Sequence, residues 1–428
     1  MMPVEPQLIV IAYSFYPEIK SSEGIVNFNW VEILKERSSR VQLLSVFTTV
    51  FRNEFDGDAN WTSEICAILK NNYKNAKNPK GLEGLIYRLK NKLSSNIYNV
   101  PRYLIEWNKL QLPKLLDILK STNYTVVWIR VLPEMSLILP FETFKKTDFP
   151  LIINCNDPII ENEGAFPFFT TLIPKTQCWT FPSLALRNKI AKRYHLDKER
   201  CFVLPHAMQH QKYLYQRNTK NKKIKIVYTG TFYKNAFTNE FQNSLLKFNT
   251  SEAAIHVEFT FVLAQYDVES IIWLEESLDN VKIIKKLPRK DVLILTQQAD
   301  IVLVVTAEMH SDLLLGKFAE AISFGVPILG VSYKNSVTDI VLSEYGTPCA
   351  YQNIKGDVYS KLLSLIQNIN SPSWLSNFYN NRETVMMKFS EEQILESTNA
   401  VSTFAANRFN AIQQGTVIPK PPQINNWP

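Results

Sequence analysis

No run of apolar residues in this 428-residue chain approaches the roughly 20 that a helix needs to cross a bilayer. Met1 to Gln7 carries no basic stretch leading into an apolar one, so the expectation is a chain without a secretion leader, working in the cytoplasm. The five cysteines (Cys66, Cys155, Cys178, Cys201, Cys349) are scattered, odd in number and never spaced Cys-x-x-Cys, and the five histidines do not cluster with them. That pattern argues for a reducing compartment and against a zinc site. Asn60-Trp-Thr62, Asn123-Tyr-Thr125 and Asn249-Thr-Ser251 fit the glycosylation tripeptide, which is common by chance and carries no weight without a leader. There is no internal repeat of fixed period. No Gly-x-Gly-x-x-Gly occurs, which removes a dinucleotide fingerprint.

What is present is an ordinary globular composition, 46% hydrophobic and 20% charged, in a chain long enough for two or three domains. Apolar runs of strand length alternate with helical periodicity. A strand over 7–13, a loop holding Pro17, Glu18 and Gly24, a helix over 25–37 and a strand over 41–47 form a βαβ unit. Further strands are expected over 125–130, 150–154, 179–181 and 201–204, with Ser183 as the N-cap of a helix running to Tyr194. The polar stretch 217–223 reads as a linker. The alternation restarts beyond it, with strands over 224–228, 256–263, 281–284 and 301–306. Thr229-Gly230-Thr231 reads as a tight turn, and helices are expected over 291–298, 357–369 and 390–407.

Residues 70–120 hold eleven Lys or Arg against three acids, a net +8 in a chain whose total is +7. Tyr73, Tyr87, Tyr98, Tyr103 and Trp107 are interleaved. Two readings stand level: a solvated helical face, or contact with an anionic membrane surface, where each basic residue contributes about 1 kcal/mol. No nucleic-acid motif accompanies the charge, so no nucleic-acid partner is expected. Asp56-Gly-Asp58 has the spacing of a metal-binding Asp-x-Asp, but no buried strand leads into it and its flanks are polar, so it reads as a turn.

The most informative stretch runs from Asp312 to Val331. Gly316 opens it, and residues 317–324 are good helix formers with Phe318, Ala321 and Ile322 on one side. Gly325 stands where a left-handed residue ends a helix, Pro327 prevents a restart, and an apolar strand follows. Lys317 and Glu320 share the face away from the apolar side. Amides at a helix N-terminus and a lysine in its first turn suit phosphate, and a carboxylate one turn on suits ribose hydroxyls. The alternative is an amphipathic surface helix carrying a solvated ion pair.

Gly316, Lys317, Phe318, Glu320, Gly325 and Pro327 resemble the nucleotide-sugar motif of the GT-B glycosyltransferases of group 1, in its surface-polysaccharide form (GT4-like). In that family the acid separated from the one at Glu320 by seven residues is usually Glu; here it is Asp312. Further resemblances are Gly230 after the first strand of the second half, with Lys234 following but no Arg nearby, and Asn156-Asp157 after the 150–154 strand, where His-Asp is common. Phe-Val-Leu-Pro-His206 resembles the family's domain border, which gives His206 a structural role.

The resemblance implies an α/β fold of the GT-B type: two Rossmann-like parallel-sheet domains facing a cleft, with a C-terminal helix crossing back to the first. The domains would be an acceptor domain over 1–205, completed by a helix over 390–412, and a donor domain over 206–389. The implied activity is retaining, metal-independent transfer of a sugar from a UDP- or GDP-sugar to a glycan or lipid-linked acceptor, without a cofactor. Gly230, Lys234, Gly316, Lys317 and Glu320 would hold the nucleotide diphosphate, and Asp312, Asn156 and Asp157 would orient the sugar. An enzyme of that type with a membrane-facing segment at 70–120 would work at the inner face of the membrane. Two rivals share the fold: a non-catalytic nucleotide- or partner-binding protein, and a sugar-nucleotide epimerase.

Overall fold

A computed structural model describes residues 6–12, 22–37, 41–45, 102–121, 124–131, 134–157, 166–206, 215–217, 223–232, 234–266, 268–285, 287–424 and 427–428, with Phe15 and Leu89. Pro17, Glu18, Asp56-Gly-Asp58, most of the basic segment before Arg102 and positions 218–222 of the linker lie outside the described residues. The chain divides into two compact units, residues 1–207 with 394–427, and residues 208–393 with residue 428.

Unit 1 is built on a six-stranded sheet in the order β2-β1-β3-β4-β5-β6. Its strands are β1 (Gln7–Ala12), β2 (Val41–Ser45), β3 (Thr125–Arg130), β4 (Leu151–Asn154), β5 (Thr176–Phe181) and β6 (Cys201–Val203). Every pairing is parallel. A parallel sheet is covered on both faces, so its strands carry continuous apolar runs rather than an alternation. β3 and β5 are accordingly buried along their whole length. The covering helices are α1 (Ser22–Arg37), α2 (Arg102–Ser121), α3 (Ile138–Phe144), α4 (Phe166–Leu172) and α5 (Leu184–Arg193). Ser183 caps α5 through a bond from the Leu186 amide, as expected. α1 begins three residues before its expected start, which places Glu23 and Gly24 inside the helix instead of a loop.

Unit 2 repeats the plan in the order β12-β11-β10-β7-β8-β9, all parallel. The strands are β7 (Ile224–Phe232), β8 (Val257–Tyr266), β9 (Val281–Lys285), β10 (Ile301–Val305), β11 (Ile328–Ser332) and β12 (Cys349–Tyr351). The helices are α6 (Asn239–Asn249), α7 (Val268–Ser277), α8 (Arg289–Gln297), α9 (Gly316–Ser323), α10 (Val337–Tyr345), α11 (Asp357–Asn368) and α12 (Pro372–Lys388). The 17-residue α12 has no counterpart in the sequence expectations. The turn expected at Thr229-Gly230-Thr231 is not one: β7 continues to Phe232, with a register irregularity between Gly230 and Phe232. The strand pairs with β8 on that side, so ladder bonds outweigh the turn preference of the glycine.

The last helix, α13 (Glu391–Gln414), returns the chain to unit 1. Ile394, Val401, Phe404, Ala405 and Ala406 join the apolar cluster of β1, β3 and α1. The Trp30 Nε1–H donates to Thr398 Oγ1 at 3.3 Å, Tyr124 donates to Asn407 at 3.2 Å, and the Phe404 ring lies 5.8 Å from that of Phe202.

In both sheets the strand order reverses once, between β1 and β3 in unit 1 and between β7 and β10 in unit 2. The crevice beyond the carboxyl ends at such a reversal is where open α/β sheets bind ligands. Arg217, expected in a solvated linker, is instead a buried anchor at the amino ends of β7 and β10, the edge of the sheet opposite that crevice. Its Nη1 meets Asp300 Oδ1 at 2.8 Å, with side-chain exposures of 1% and 5%, and Asp300 Oδ2 accepts from the Lys225 amide. Removing one member of such a pair strands the other charge in the interior. Asp300→Ala is expected to cost about 3–5 kcal/mol, read by urea unfolding with unit 2 followed by amide exchange.

Candidate functional site

The motif residues of unit 2 assemble at its strand reversal. Tyr228 and Gly230 lie on β7, and Gly316 and Lys317 open α9. No side chain caps α9: its N-cap is Leu315, whose carbonyl takes the Phe318 and Ala319 amides, which leaves those of Gly316 and Lys317 to water or to a ligand. Gly230 has φ +117, a value that L side chains rarely adopt. A Cβ there would stand 3.6 Å from Lys317 Cδ and 3.8 Å from its Nζ. The bare backbone of Gly230 and the Lys317 ammonium therefore border the same small space.

Lys317 Nζ donates to the Tyr228 hydroxyl at 3.1 Å and sits 4.2 Å from the centre of that ring. The hydroxyl in turn donates to the Thr231 carbonyl at 2.6 Å, so it faces the lysine as an acceptor. Glu320, one turn along α9, does not pair with Lys317. It accepts from Arg289 Nη2, in the first turn of α8, at 2.6 Å. The surface-ion-pair alternative for Lys317 and Glu320 thus fails, because each has another partner. Burial holds the Lys317 ammonium down to about 7, well below an ordinary lysine. A cation stripped of water beside backbone amides can be satisfied by a phosphate oxygen.

The other expected residues are placed as follows. Asp312 lies half-buried in the turn ahead of α9. Lys234 opens the 3-10 turn Lys234–Ala236 that follows β7. Asn156 and Asp157 belong to unit 1, just past the carboxyl end of β4. There Asn156 donates to both carboxylate oxygens of Glu23, at 2.7 and 2.9 Å. Arg130, at the end of β3, donates to Asn27 Oδ1 and lies 5.1 Å from the Trp30 ring. Glu23 and Arg130 are 5% and 3% exposed. Burial raises the Glu23 carboxyl above its ordinary value, opposed by the charge of Arg130, reinforced by that of Asp157, and opposed again by bonds from Asn156 and Asn27. Burial brings the Arg130 guanidinium down to about 10.

Sequence reasoning missed Tyr228, Arg289, Glu23 and Arg130. Arg289 stands 31 residues from Glu320, and Glu23 133 residues from Asn156, separations that no spacing rule connects. The single available signal was Glu23 directly before Gly24, at the end of the first loop. Among the described residues no group of three or more metal-ligating side chains gathers, and no helix is long and apolar enough to cross a membrane.

No protein-family model matches the chain, and no curated protein matches it in sequence. Solved structures do match in shape. A glycosyltransferase from Rickettsia africae is 12% identical over 94% of this chain and 98% of its own, with a TM-score of 0.61. An Anabaena protein solved in complex with UDP-glucose is 11% identical over 91% and 97%, with a TM-score of 0.58. A Listeria monocytogenes structure described as a UDP-N-acetylglucosamine 2-epimerase is 12% identical over 98% and 100%, with a TM-score of 0.54. The fold is GT-B. At such identities the likeness establishes the architecture, two parallel-sheet units with a long returning helix, and the chemistry rests on the residues of this chain. In this GT-B chain Lys317 carries the clearest signature. Burial holds its ammonium down to about 7, and an anion brought beside it would raise that value again. About one pH unit higher, UDP binding is expected to take up close to one proton, read by calorimetry in buffers of different ionisation enthalpy. Lys317→Met should abolish both the uptake and most of the affinity.

Proposed function

We propose that the chain transfers a sugar from a nucleoside-diphosphate sugar to the hydroxyl of a glycan or lipid-linked acceptor, with retention and without a metal ion, in the synthesis of a surface polysaccharide or glycolipid. The observation that carries this reading is the desolvated Lys317 beside Gly230 and the uncapped start of α9. A leaving diphosphate needs fixed positive groups that require no reorganisation as charge develops. Gly230, Gly316 and Lys317 supply them in this reading, which also assigns Lys234 to the diphosphate. Glu320 accepts from the ribose hydroxyls. Its Oε1 is held by Arg289 at 2.6 Å, and a second oxygen remains for the ligand. Asp312 orients the sugar, with a side chain one methylene shorter than Glu. Asn156 and Asp157 serve the hydroxyl-bearing ligand of unit 1.

A non-catalytic relative that binds a nucleotide or a partner is the second reading. Asp312 in place of Glu, and an Asn156 amide committed to Glu23, favour it.

Titration calorimetry with UDP, GDP and ADP, without metal, tests the donor site. One diphosphate is expected to bind with micromolar affinity, near −8 kcal/mol by the usual conversion. Glu320→Ala should weaken it by about tenfold or more, roughly 1.4 kcal/mol. Absence of binding by all three would remove the nucleotide role from Lys317 and Glu320. Binding without transfer to any acceptor, or slow conversion of the free sugar nucleotide, would favour the non-catalytic or epimerase alternatives.

A further inference from the structure

The polar cluster of unit 1 contains one feature that internal pairing leaves unexplained. Asn156 is 5% exposed, and its Nδ2 bonds both oxygens of Glu23. A carboxylate only accepts, so the orientation of the amide is dictated: Nδ2 faces Glu23 and Oδ1 faces away. That Oδ1 is buried and has no hydrogen-bond partner. A buried acceptor without a donor costs about 1–3 kcal/mol. Here it stands just past the end of β4, beside the reversal between β1 and β3. An orphaned acceptor at such a crevice is accounted for when a ligand supplies the donor.

The surroundings select the chemistry of that donor. Among the described residues, the charged groups acting on Glu23 are Arg130 from β3 and Asp157 from the segment after β4, and the neutral Asn27, from its own helix, and Asn156 bond to it. The donor must reach Oδ1 in a space where two carboxylates and one guanidinium already balance closely, so one that adds no charge disturbs them least. A neutral hydroxyl meets both demands.

We propose that Glu23 is a positioning residue: it locks the Asn156 amide so that Oδ1 accepts one hydroxyl of a carbohydrate ligand in unit 1, and a proton on Glu23 releases the lock. This deepens the functional reading above, which gives unit 1 the hydroxyl-bearing ligand. Once protonated, the Glu23 carboxyl donates to Oδ1, the amide turns over, and the acceptor is consumed internally. Burial raises the Glu23 carboxyl above its ordinary value, so the sign is fixed. The subsite is open while Glu23 is ionised and closes as pH falls through that raised value, earlier than an ordinary carboxylate would allow.

The experiment follows the Asn156 side-chain amide by NMR in the full chain labelled with 15N-asparagine, assigned by its loss in Asn156→Ser. The probes are the methyl glycosides of glucose, mannose and N-acetylglucosamine. At neutral pH at least one glycoside is expected to shift the Asn156 resonance, and acidification within the folded range should abolish that shift. Glu23→Gln can itself donate to Oδ1, so it should lose the glycoside shift at every pH. A glycoside shift that survives acidification or survives Glu23→Gln overturns the proposal, as does a failure of all three sugars. If Glu23→Gln does not fold, the wild-type pH series decides alone. The readout does not involve unit 2, so a failed donor site would leave it intact and the two failures are distinguishable.

Discussion

A lysine ammonium taken out of water without a carboxylate is the constraint around which unit 2 is arranged. Lys317 rests on a tyrosine ring and one hydroxyl, at 4.2 and 3.1 Å. Those contacts are weaker than a charge pair, and the lowered proton affinity of Lys317 measures the deficit. Several features keep it that way. Tyr228 is tied to the Thr231 carbonyl, so its oxygen stays an acceptor. Gly230 has no side chain to separate the lysine stem from the β7 backbone. Glu320, the nearest acid on α9, is occupied by Arg289. An unmet cation at the carboxyl end of a parallel sheet is a standing demand for an anion.

Unit 1 uses the same geometry with the opposite sign of demand. Its reversal between β1 and β3 gathers Glu23, Asn27, Arg130, Asn156 and Asp157, and there the charges partly compensate one another. Among these five side chains the acceptor left without a donor is the neutral Asn156 Oδ1, and Asn154 Oδ1 at the end of β4 shares that condition. One sheet plan thus presents an underpaired cation in one unit and an unpaired neutral acceptor in the other. The difference lies in which side chains stand at the strand ends, not in the fold. Gly325, with φ +65, ends α9 and hands the chain to β11, while buried Arg382 donates to the Gly325 and Tyr215 carbonyls at 3.1 and 2.8 Å. The short helix that presents Lys317 is therefore anchored at its far end by α12.

Much of the architecture could be read from the order of residues. Fully apolar runs such as those of β1, β3 and β10 announce a parallel sheet, because both of its faces are covered. The Gly-Lys-x-x-Glu stretch followed by Gly-x-Pro gave α9 and β11 nearly at their observed bounds. The misreadings were local. Gly230 looked like a turn, and β-pairing with β8 carried the strand through it. Gly24 looked like loop, and α1 begins before it. Arg217 looked solvated, and Asp300 draws it inside.

The sequence by itself determined the alternation of strands and helices, the two-part layout and the short helix–turn–strand of 316–332, because these depend on period and on neighbours a few residues apart. Only the tertiary structure decided who partners whom. Lys317 turned to Tyr228, Glu320 to Arg289 and Asn156 to Glu23, pairings that span 89, 31 and 133 residues. Such contacts are set by how strands are ordered in the sheet, and a linear pattern does not encode that order. The same holds for the titration of Lys317 and Glu23, since desolvation belongs to the packed site and not to the residue type.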